Sequence, residues 1–242
     1  MPAIFTKRLF AGTLALLGVV CAASAEAPAA PAPTTPPAHE LPSGFAYVHE
    51  TIEDVVLDIR YASSNNFVGE PIDGYESGYA IVTKPAVRAL KKAADELRKK
   101  GYRLKIFDAY RPRRAVRHFL RWSEDESDMR MRDTFYPDFS SKAALVEQGY
   151  IAYYSSHSKG SAVDLTLVDA DGNELDMGTG FDFFGKRAWY GAQGLTDAQK
   201  ENRLILWRAM TGHGFRAYEK EWWHFRLDDQ PYPDDFFDFV VK

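Results

Sequence analysis

Residues 26–43 consist largely of alanine and proline, and this stretch limits what the chain can fold into. Its sequence, EAPAAPAPTTPPAHELPS, has almost no large apolar side chain, and proline lacks the backbone donor that helices and sheets need. We therefore predict an extended linker at 26–43. The fold must be built from residues 44–242, which are enough for one domain.

Residues 1–25 have the pattern of a secretory signal peptide. Lys7 and Arg8 give a basic start, and residues 9–20 (LFAGTLALLGVV) form an apolar run. This run is too short for a permanent transmembrane helix. Residues 23–25 (ASA) then offer a cleavage site. We expect cleavage after Ala25, a periplasmic or secreted protein, and no stable membrane insertion afterwards.

Cys21 is the only cysteine of the chain and leaves lipidation as an alternative to simple cleavage. Val20 stands directly before it, where a small residue is expected, and argues against that alternative. Cleavage after Ala25 would remove Cys21. The exported protein would then have no disulfide and no thiolate for metal binding or nucleophilic catalysis.

The composition favours a globular enzyme-sized domain over a nucleic-acid binder. Of the 242 residues, 45% are hydrophobic and 14% are aromatic, which can supply a core. The formal net charge is -4, whereas a nucleic-acid binder usually has a basic stripe. We therefore expect no nucleic-acid partner.

Hydrophobic periodicity predicts an α+β domain. Val87, Leu90, Ala94 and Leu97 recur at helical spacing, and Gly101 follows as a stop signal. Helices and strands alternate without a regular βαβ rhythm, so we predict a single domain with a mixed or antiparallel central sheet flanked by helices. The helices are expected at 85–100, 114–122 and 198–210, and the strands at 55–61, 102–110, 162–168 and 222–227.

Only two of the six histidines have a local context that suggests chemistry. Those two are His157 and His224. The others lie in or next to the linker, in a basic helix, or at a helix end, and they are His39, His49, His118 and His213.

His157 and Asp164 lie seven residues apart in SSHSKGSAVDLTLV. The segment between them, which includes Gly160, can form a tight turn that sets the two side chains next to each other. Two metal ligands are one interpretation. A turn histidine and a strand-end carboxylate with no shared role is the other.

His224 follows Glu221 by three residues in EKEWWHFRL. This spacing places the two on opposite faces of an ideal strand, and they converge only if Glu221 belongs to a turn or a bulge. A tryptophan-rich core strand with edge polar residues is the structural alternative.

The two motifs together favour a metal site on the sheet. Catalytic zinc has three protein ligands from nitrogen, sulfur or oxygen donors and keeps one position open. His157, Asp164 and His224 supply such a set without cysteine, and Glu221 stands near the third ligand as a possible base.

These residues also carry a family resemblance. SSHSKGSAVDLTL and EWWHF resemble the SxHxxGxAxD and ExxH motifs of the zinc D-alanyl-D-alanine peptidases, and most closely those of the VanX-type dipeptidases. The likeness extends through RYASSNNFVGEPIDGYE, FDAYRPRRAV, MGTGFDF and PYPDDFFDFVVK. The departures are the signal and linker, which change the compartment, and FGKRAWYGA, which leaves substrate preference open.

The resemblance implies one zinc ion per chain and a role for each motif residue. It implies Glu221 as the catalytic base and Arg111 as the partner of the oxyanion. The implied zinc ligands are His157, Asp164 and His224, and the implied substrate-binding residues are Asp182 for the ammonium group, Tyr61 in the same pocket and Ser155 near the carboxylate. A surface arginine paired with Asp108 remains the alternative for Arg111, as do a loop aspartate, a core tyrosine and a turn serine for the other three.

We therefore expect an exported zinc dipeptidase whose catalytic domain spans residues 44–242. Its expected partner is a small dipeptide substrate, D-alanyl-D-alanine, which it hydrolyses. A D,D-carboxypeptidase or endopeptidase acting on peptidoglycan stem peptides is the nearest alternative, because relatives with the same two motifs have that activity. A non-catalytic zinc or cell-wall binding module is an alternative from another class, which the presence of Glu221 and Arg111 disfavours.

Overall fold

The computed structural model describes residues 40–242. The predicted signal peptide, Cys21 and most of the predicted linker lie outside this range. Residues 40–43 precede the first strand and contain no helix or strand. Among residues 40–242, no helix combines the length and the apolar character needed to cross a membrane.

A five-stranded mixed sheet forms the centre of the fold, and the predicted α+β class is confirmed. Its strand order is β2-β4-β5-β7-β6, in which β2 pairs with β4 in parallel and every other neighbouring pair is antiparallel. A separate antiparallel pair is formed by β1 and β3. The strands are β1 (Phe45–Tyr47), β2 (Val56–Leu57), β3 (Ile81–Thr83), β4 (Arg103–Asp108), β5 (Ala162–Val168), β6 (Phe215–Tyr218) and β7 (Glu221–Leu227).

Three long helices pack around this sheet, close to their predicted positions, and two short ones lie between α2 and β5. Pro85 lies in the first turn of α1, and a reciprocal capping box between Thr196 and Gln199 opens α5. The helices are α1 (Lys84–Arg98), α2 (Arg113–Glu124), α3 (Arg132–Phe135), α4 (Ala143–Glu147) and α5 (Asp197–Thr211).

The predicted strand at 55–61 is wrong over most of its length. Only Val56–Leu57 pair with β4, and the chain then turns into a short 3-10 helix at Arg60–Ala62. A local contact favours this departure, because Arg60 Nε donates to Asp58 Oδ2 at 2.9 Å. The turn takes Tyr61 off the sheet edge and into the buried interior.

The last residues of the chain pack back onto β1. Phe45 is buried, and its ring contacts those of Tyr232, Phe237 and Phe239 at centroid distances of 5.0–5.9 Å. Phe237 N also donates to Ser158 O at 2.8 Å. The terminal segment therefore braces the turn that carries His157.

Replacing Phe45 by alanine should remove this brace and lower the free energy of unfolding by about 3–5 kcal/mol, because a buried aromatic ring leaves a cavity. Urea denaturation measures the change. Tyr153→Ala is the matched control, since Tyr153 is 67% exposed and should change stability by no more than about 0.5 kcal/mol. A loss below about 1 kcal/mol for Phe45→Ala would show that the cluster is dispensable.

Candidate metal centre

Asp164 and His224 are brought together by strand pairing. They are direct partners in the antiparallel register of β5 and β7, so their side chains leave the sheet side by side. His224 Nδ1 lies 2.9 Å from Asp164 Oδ1. The pairing of the two strands is therefore sufficient to place two of the three predicted ligands.

His157 reaches the same point from a 3-10 turn, Ser156–Lys159, that precedes β5. Ser155 Oγ accepts from His157 N at the start of the turn, and Gly160 ends it with φ +77° and donates to His157 O at 2.9 Å. His157 Nε2 lies 3.0 Å from His224 Nδ1 and 3.3 Å from Asp164 Oδ1. The turn predicted between His157 and Asp164 is present.

The proton positions on the two imidazoles favour a cation between the three side chains. His157 Nδ1 lies 2.7 Å from the Ala109 carbonyl and must donate to it, so Nε2 carries a lone pair toward the cluster. His224 Nε2 lies 3.3 Å from Ser156 Oγ, which leaves Nδ1 facing inward. With neutral imidazoles, His157 Nε2 is an acceptor beside His224 Nδ1 and Asp164 Oδ1, an arrangement in which a cation can bind between the three atoms.

The spacing of these atoms suits zinc. Ligand distances of about 2.0–2.2 Å in a tetrahedron put donor atoms about 3.3–3.6 Å apart, so the three atoms need only a small expansion to hold an ion. The pKa of Asp164 is held below its usual range, because the neighbouring histidines outweigh the effect of burial. Within residues 40–242, this is the one group of histidine and acidic side chains that could hold a metal.

Glu221 and His224 converge through an irregularity at the start of β7. Tyr218 pairs with Glu221 whereas Ala217 pairs with Phe225, so β7 carries extra residues at this point. Glu221 Oε2 then lies 3.9 Å from His224 Nδ1. Burial raises the pKa of Glu221 to about 7, and a cation in the cluster would lower it again.

Arg111 lies in the cavity wall next to the cluster, not on the surface. Its Nε donates to Asp108 Oδ2 at 2.9 Å, and its Nη2 lies 3.5 Å from Asp164 Oδ2. The guanidinium also stacks over the ring of Tyr61 at 5.0 Å. The alternative of a surface arginine predicted the correct partner, Asp108, but it was wrong about the location of Arg111.

Asp108 is a functional residue that sequence reasoning missed. It is fully buried, pairs in register with Asp164, and accepts a hydrogen bond from Tyr75 Oη at 2.5 Å. Its second oxygen holds Arg111. An aspartate as the last residue of a buried strand, directly before AYRP, was the available signal.

The three predicted substrate-binding residues line the same cavity, which has a volume of about 380 Å³. Tyr61 Oη donates to Asp182 Oδ2 at 2.8 Å, and Ser155 lies at the start of the His157 turn. Asp182 has φ +59°, a backbone strain that tends to persist at functional sites. Burial and the charge of Asp164 raise the pKa of Asp182 well above its ordinary value.

The remaining described histidines lie away from this cavity, as expected. His118 contacts Glu70, and His213 contacts Glu96 at the end of α5. His49 stacks on Tyr79. His39 lies outside the described residues.

Gly160→Val should weaken metal binding without removing a ligand. A Cβ at Gly160 would lie 2.2 Å from Phe45 Cε1, and the positive φ disfavours any side chain. We expect a loss of metal affinity of roughly 10- to 100-fold, as for other changes in ligand support, measured by competition with a chromogenic chelator.

Gly101→Val is the matched control for this prediction. Gly101 has a similar φ of +84°, but nothing lies within 4 Å of its Cβ position, and it precedes the start of β4, whereas Asp108 ends that strand next to the cluster. Gly101→Val should therefore keep the metal affinity of the parent protein. Equal affinities for both variants would show that the Gly160 turn does not set the ligand geometry.

Comparison with known proteins identifies the family. Residues 42–242 match the M15 peptidase family model described as D-ala-D-ala dipeptidase. The D-alanyl-D-alanine dipeptidase of Enterococcus faecalis is 42% identical over 83% of this chain and 99% of that protein. Those of Enterococcus faecium and Streptomyces coelicolor are 40% and 38% identical, over 82% and 81% of this chain and 98% of each relative.

A solved structure is more distant. A mutant of the vancomycin resistance D,D-pentapeptidase VanY in complex with Zn(II) has a TM-score of 0.37 and 16% identity, over 64% of this chain and 77% of that one. This likeness supports no argument about the site. The match from residue 42 to residue 242 and the almost complete coverage of the relatives show that the chain belongs to the M15 peptidase family, among its D-Ala-D-Ala dipeptidases.

Proposed function

We propose that this chain is an exported zinc-dependent dipeptidase that hydrolyses D-alanyl-D-alanine to two D-alanines. The observation that carries the proposal is the convergence of His157, Asp164 and His224 in one cavity with Glu221 and Arg111. Relatives named for this dipeptidase activity support the choice of substrate.

The donor set would hold zinc through His157 Nε2, His224 Nδ1 and Asp164 Oδ1, the three atoms that converge. When bound, zinc supplies Lewis acidity that lowers the pKa of water to about 7 at neutral pH. The hydrogen bond from His157 Nδ1 to the Ala109 carbonyl fixes the ring and its tautomer. The protein thus prepares the ligands before an ion binds.

Glu221 is the residue placed to move protons. Its carboxylate lies beside His224 within the cavity and can take a proton from the attacking water and pass it to the leaving amine. The irregular start of β7 is what turns this side chain toward the cluster. No other glutamate of the described chain lines the cavity.

Arg111 is placed to stabilise the negative charge that develops on the carbonyl oxygen during attack. Asp108 holds its Nε, so the remaining guanidinium nitrogens face the cavity and the Asp164 side. The stack on Tyr61 fixes the plane of the group. This fixed orientation means that little reorganisation accompanies the reaction.

Asp182 and Ser155 suit the two charged ends of a dipeptide. Asp182 is a buried carboxylate without an ion pair to an arginine or lysine among residues 40–242, so the substrate ammonium would give it a counter-ion, and Tyr61 orients it. Ser155 lines the same cavity, on the segment that leads into the His157 turn. We therefore assign the ammonium to Asp182 and the carboxylate to the Ser155 side.

Export is proposed from residues 1–25 alone. Sequencing the amino terminus of the protein recovered from a periplasmic or culture fraction tests it, and a terminus at Glu26 is expected. Retention in the cytoplasm with Met1 intact would overturn export and leave the catalytic proposal untouched.

Glu221→Ala should abolish hydrolysis and still bind one zinc ion, because the base is not a ligand. Removal of a general base costs roughly 100- to 10,000-fold in rate. Turnover of D-Ala-D-Ala and zinc content by atomic absorption are the two readouts. Glu219→Ala, an exposed glutamate of the same hairpin, is the control. Retained turnover in Glu221→Ala would assign the base elsewhere.

Arg111→Ala should lower turnover roughly 100-fold or more, with zinc still bound, because an oxyanion partner contributes about 2.7–4 kcal/mol to barrier lowering. Steady-state kinetics measure the change, and a circular dichroism melt checks the fold. Arg121→Ala removes an exposed arginine of α2 that pairs with Asp73 and should be near normal. Near-normal activity of Arg111→Ala would exclude Arg111 as the group that stabilises the oxyanion.

A substrate panel tests the function as a whole. Zinc content and release of D-alanine are measured with D-Ala-D-Ala, its L-isomers and a stem pentapeptide ending in D-Ala-D-Ala. We expect one zinc and release from the D-dipeptide. Cleavage of the pentapeptide alone would establish a D,D-carboxypeptidase instead, and zinc binding without any hydrolysis would establish a binding module.

A further inference from the structure

Two arginines face each other at the mouth of the cavity. Arg216 on β6 and Arg226 on β7 are direct partners in the antiparallel register, and both line the cavity that holds the metal cluster. Like charges directly opposite each other on neighbouring strands destabilise a sheet. An anion bound next to the two arginines would offset this repulsion.

Among residues 40–242, only Arg216 of this pair has an acidic side chain as a partner. Arg216 Nε lies 2.9 Å from Asp228 Oδ1 in an exposed ion pair. Arg226 is half-buried, its other strand neighbour is Ala162, and its guanidinium has no ion-pair or hydrogen-bond partner among residues 40–242. A ligand carboxylate at this position would offset the repulsion between the two arginines and accept charge-assisted hydrogen bonds from Arg226.

The position of Arg226 gives the cavity an electrostatic direction. Arg226 lies two residues after His224, so both side chains leave β7 on the same face. Glu221 lies on the other side of His224, and Asp182 interacts electrostatically with Glu221. Along β7, the acidic Glu221 therefore precedes His224 and the basic Arg226 follows it, and both line the cavity.

We expect a peptide bound with its ammonium group at Asp182 to place its leaving residue toward Arg216 and Arg226. Tyr154 and Tyr218 also line the cavity, and both are exposed to solvent. The cavity volume of about 380 Å³ has room for a side chain longer than a methyl group. Arginine recognises carboxylates through two parallel hydrogen bonds.

We propose that Arg226, supported by the charge of Arg216, forms a carboxylate subsite that extends the substrate range to dipeptides with an acidic leaving residue. The proposal rests on the proposed dipeptidase function and names a substrate class for the same site. D-Ala-D-Glu and its neutral isostere D-Ala-D-Gln are the matched probes, because they differ in one charge and hardly in shape.

The experiment measures kcat/KM for both probes with the zinc-loaded enzyme. The wild type should prefer D-Ala-D-Glu over D-Ala-D-Gln, and Arg226→Gln should lower that preference roughly 10- to 100-fold, the range for a charge-assisted hydrogen bond. Arg226→Lys should keep part of the preference, since it retains the charge without the planar fork. Arg208 is an exposed arginine of α5 that does not line the cavity. Arg208→Gln removes the same charge there and should leave the kcat/KM ratio of the two probes unchanged.

Binding of the two probes to the zinc-loaded Glu221→Ala protein, measured by calorimetry, separates the possible failures. If the enzyme cleaves D-Ala-D-Ala but Arg226→Gln does not alter the ratio of kcat/KM for D-Ala-D-Glu to kcat/KM for D-Ala-D-Gln, the subsite alone is overturned. Preferential binding of D-Ala-D-Glu that depends on Arg226, without hydrolysis by the wild type, would support the subsite and overturn the proposed function. Binding of neither probe would overturn the subsite.

Discussion

The register of three neighbouring strands determines the site. Asp108 on β4 pairs with Asp164 on β5, and Asp164 pairs with His224 on β7, so three ionisable side chains lie in one row across the sheet. A shift of one residue in either pairing would move a side chain to the opposite face. Strand register therefore positions two of the three candidate metal ligands, Asp164 and His224, and the turn at Ser156–Lys159 adds His157.

Two buried carboxylates in this row require compensation, because unpaired charges are costly in the interior. Arg111 lies between them and contacts both Asp108 and Asp164. Tyr75 donates to Asp108 as well. On its other side, Asp164 Oδ1 lies 2.9 Å from His224 Nδ1 and 3.3 Å from His157 Nε2. A divalent cation held by these three side chains would add positive charge next to Asp164, and the proposed zinc would then contribute to both stability and chemistry.

Much of the fold follows from local signals in the sequence, whereas the candidate site was predicted from two local motifs together with the family resemblance. The long helices have strong periodicity and caps, and the turn at Gly160 needs only one residue with a positive φ. The prediction of a strand at 55–61 was wrong because a two-residue edge strand has no periodicity that distinguishes it from a turn. Strand β6 was not predicted for a similar reason, since its exposure alternates over only four residues.

Other features depend on contacts between distant segments and could not be predicted. The approach of Glu221 to His224 requires the irregular pairing of β6 and β7, which the sequence left as one of two possibilities. The role of Asp108 depends on Tyr75 and Arg111 meeting at one buried carboxylate. The opposition of Arg216 and Arg226 exists only because their strands pair.

Anomalous diffraction at the zinc edge, on crystals of the zinc-loaded protein, tests the metal centre most directly. The account predicts one peak at about 2.0–2.2 Å from His157 Nε2, His224 Nδ1 and an oxygen of Asp164, with Glu221 outside the ligand sphere. A peak at another position, or a peak that includes Glu221 as a ligand in place of one of the three, would contradict it.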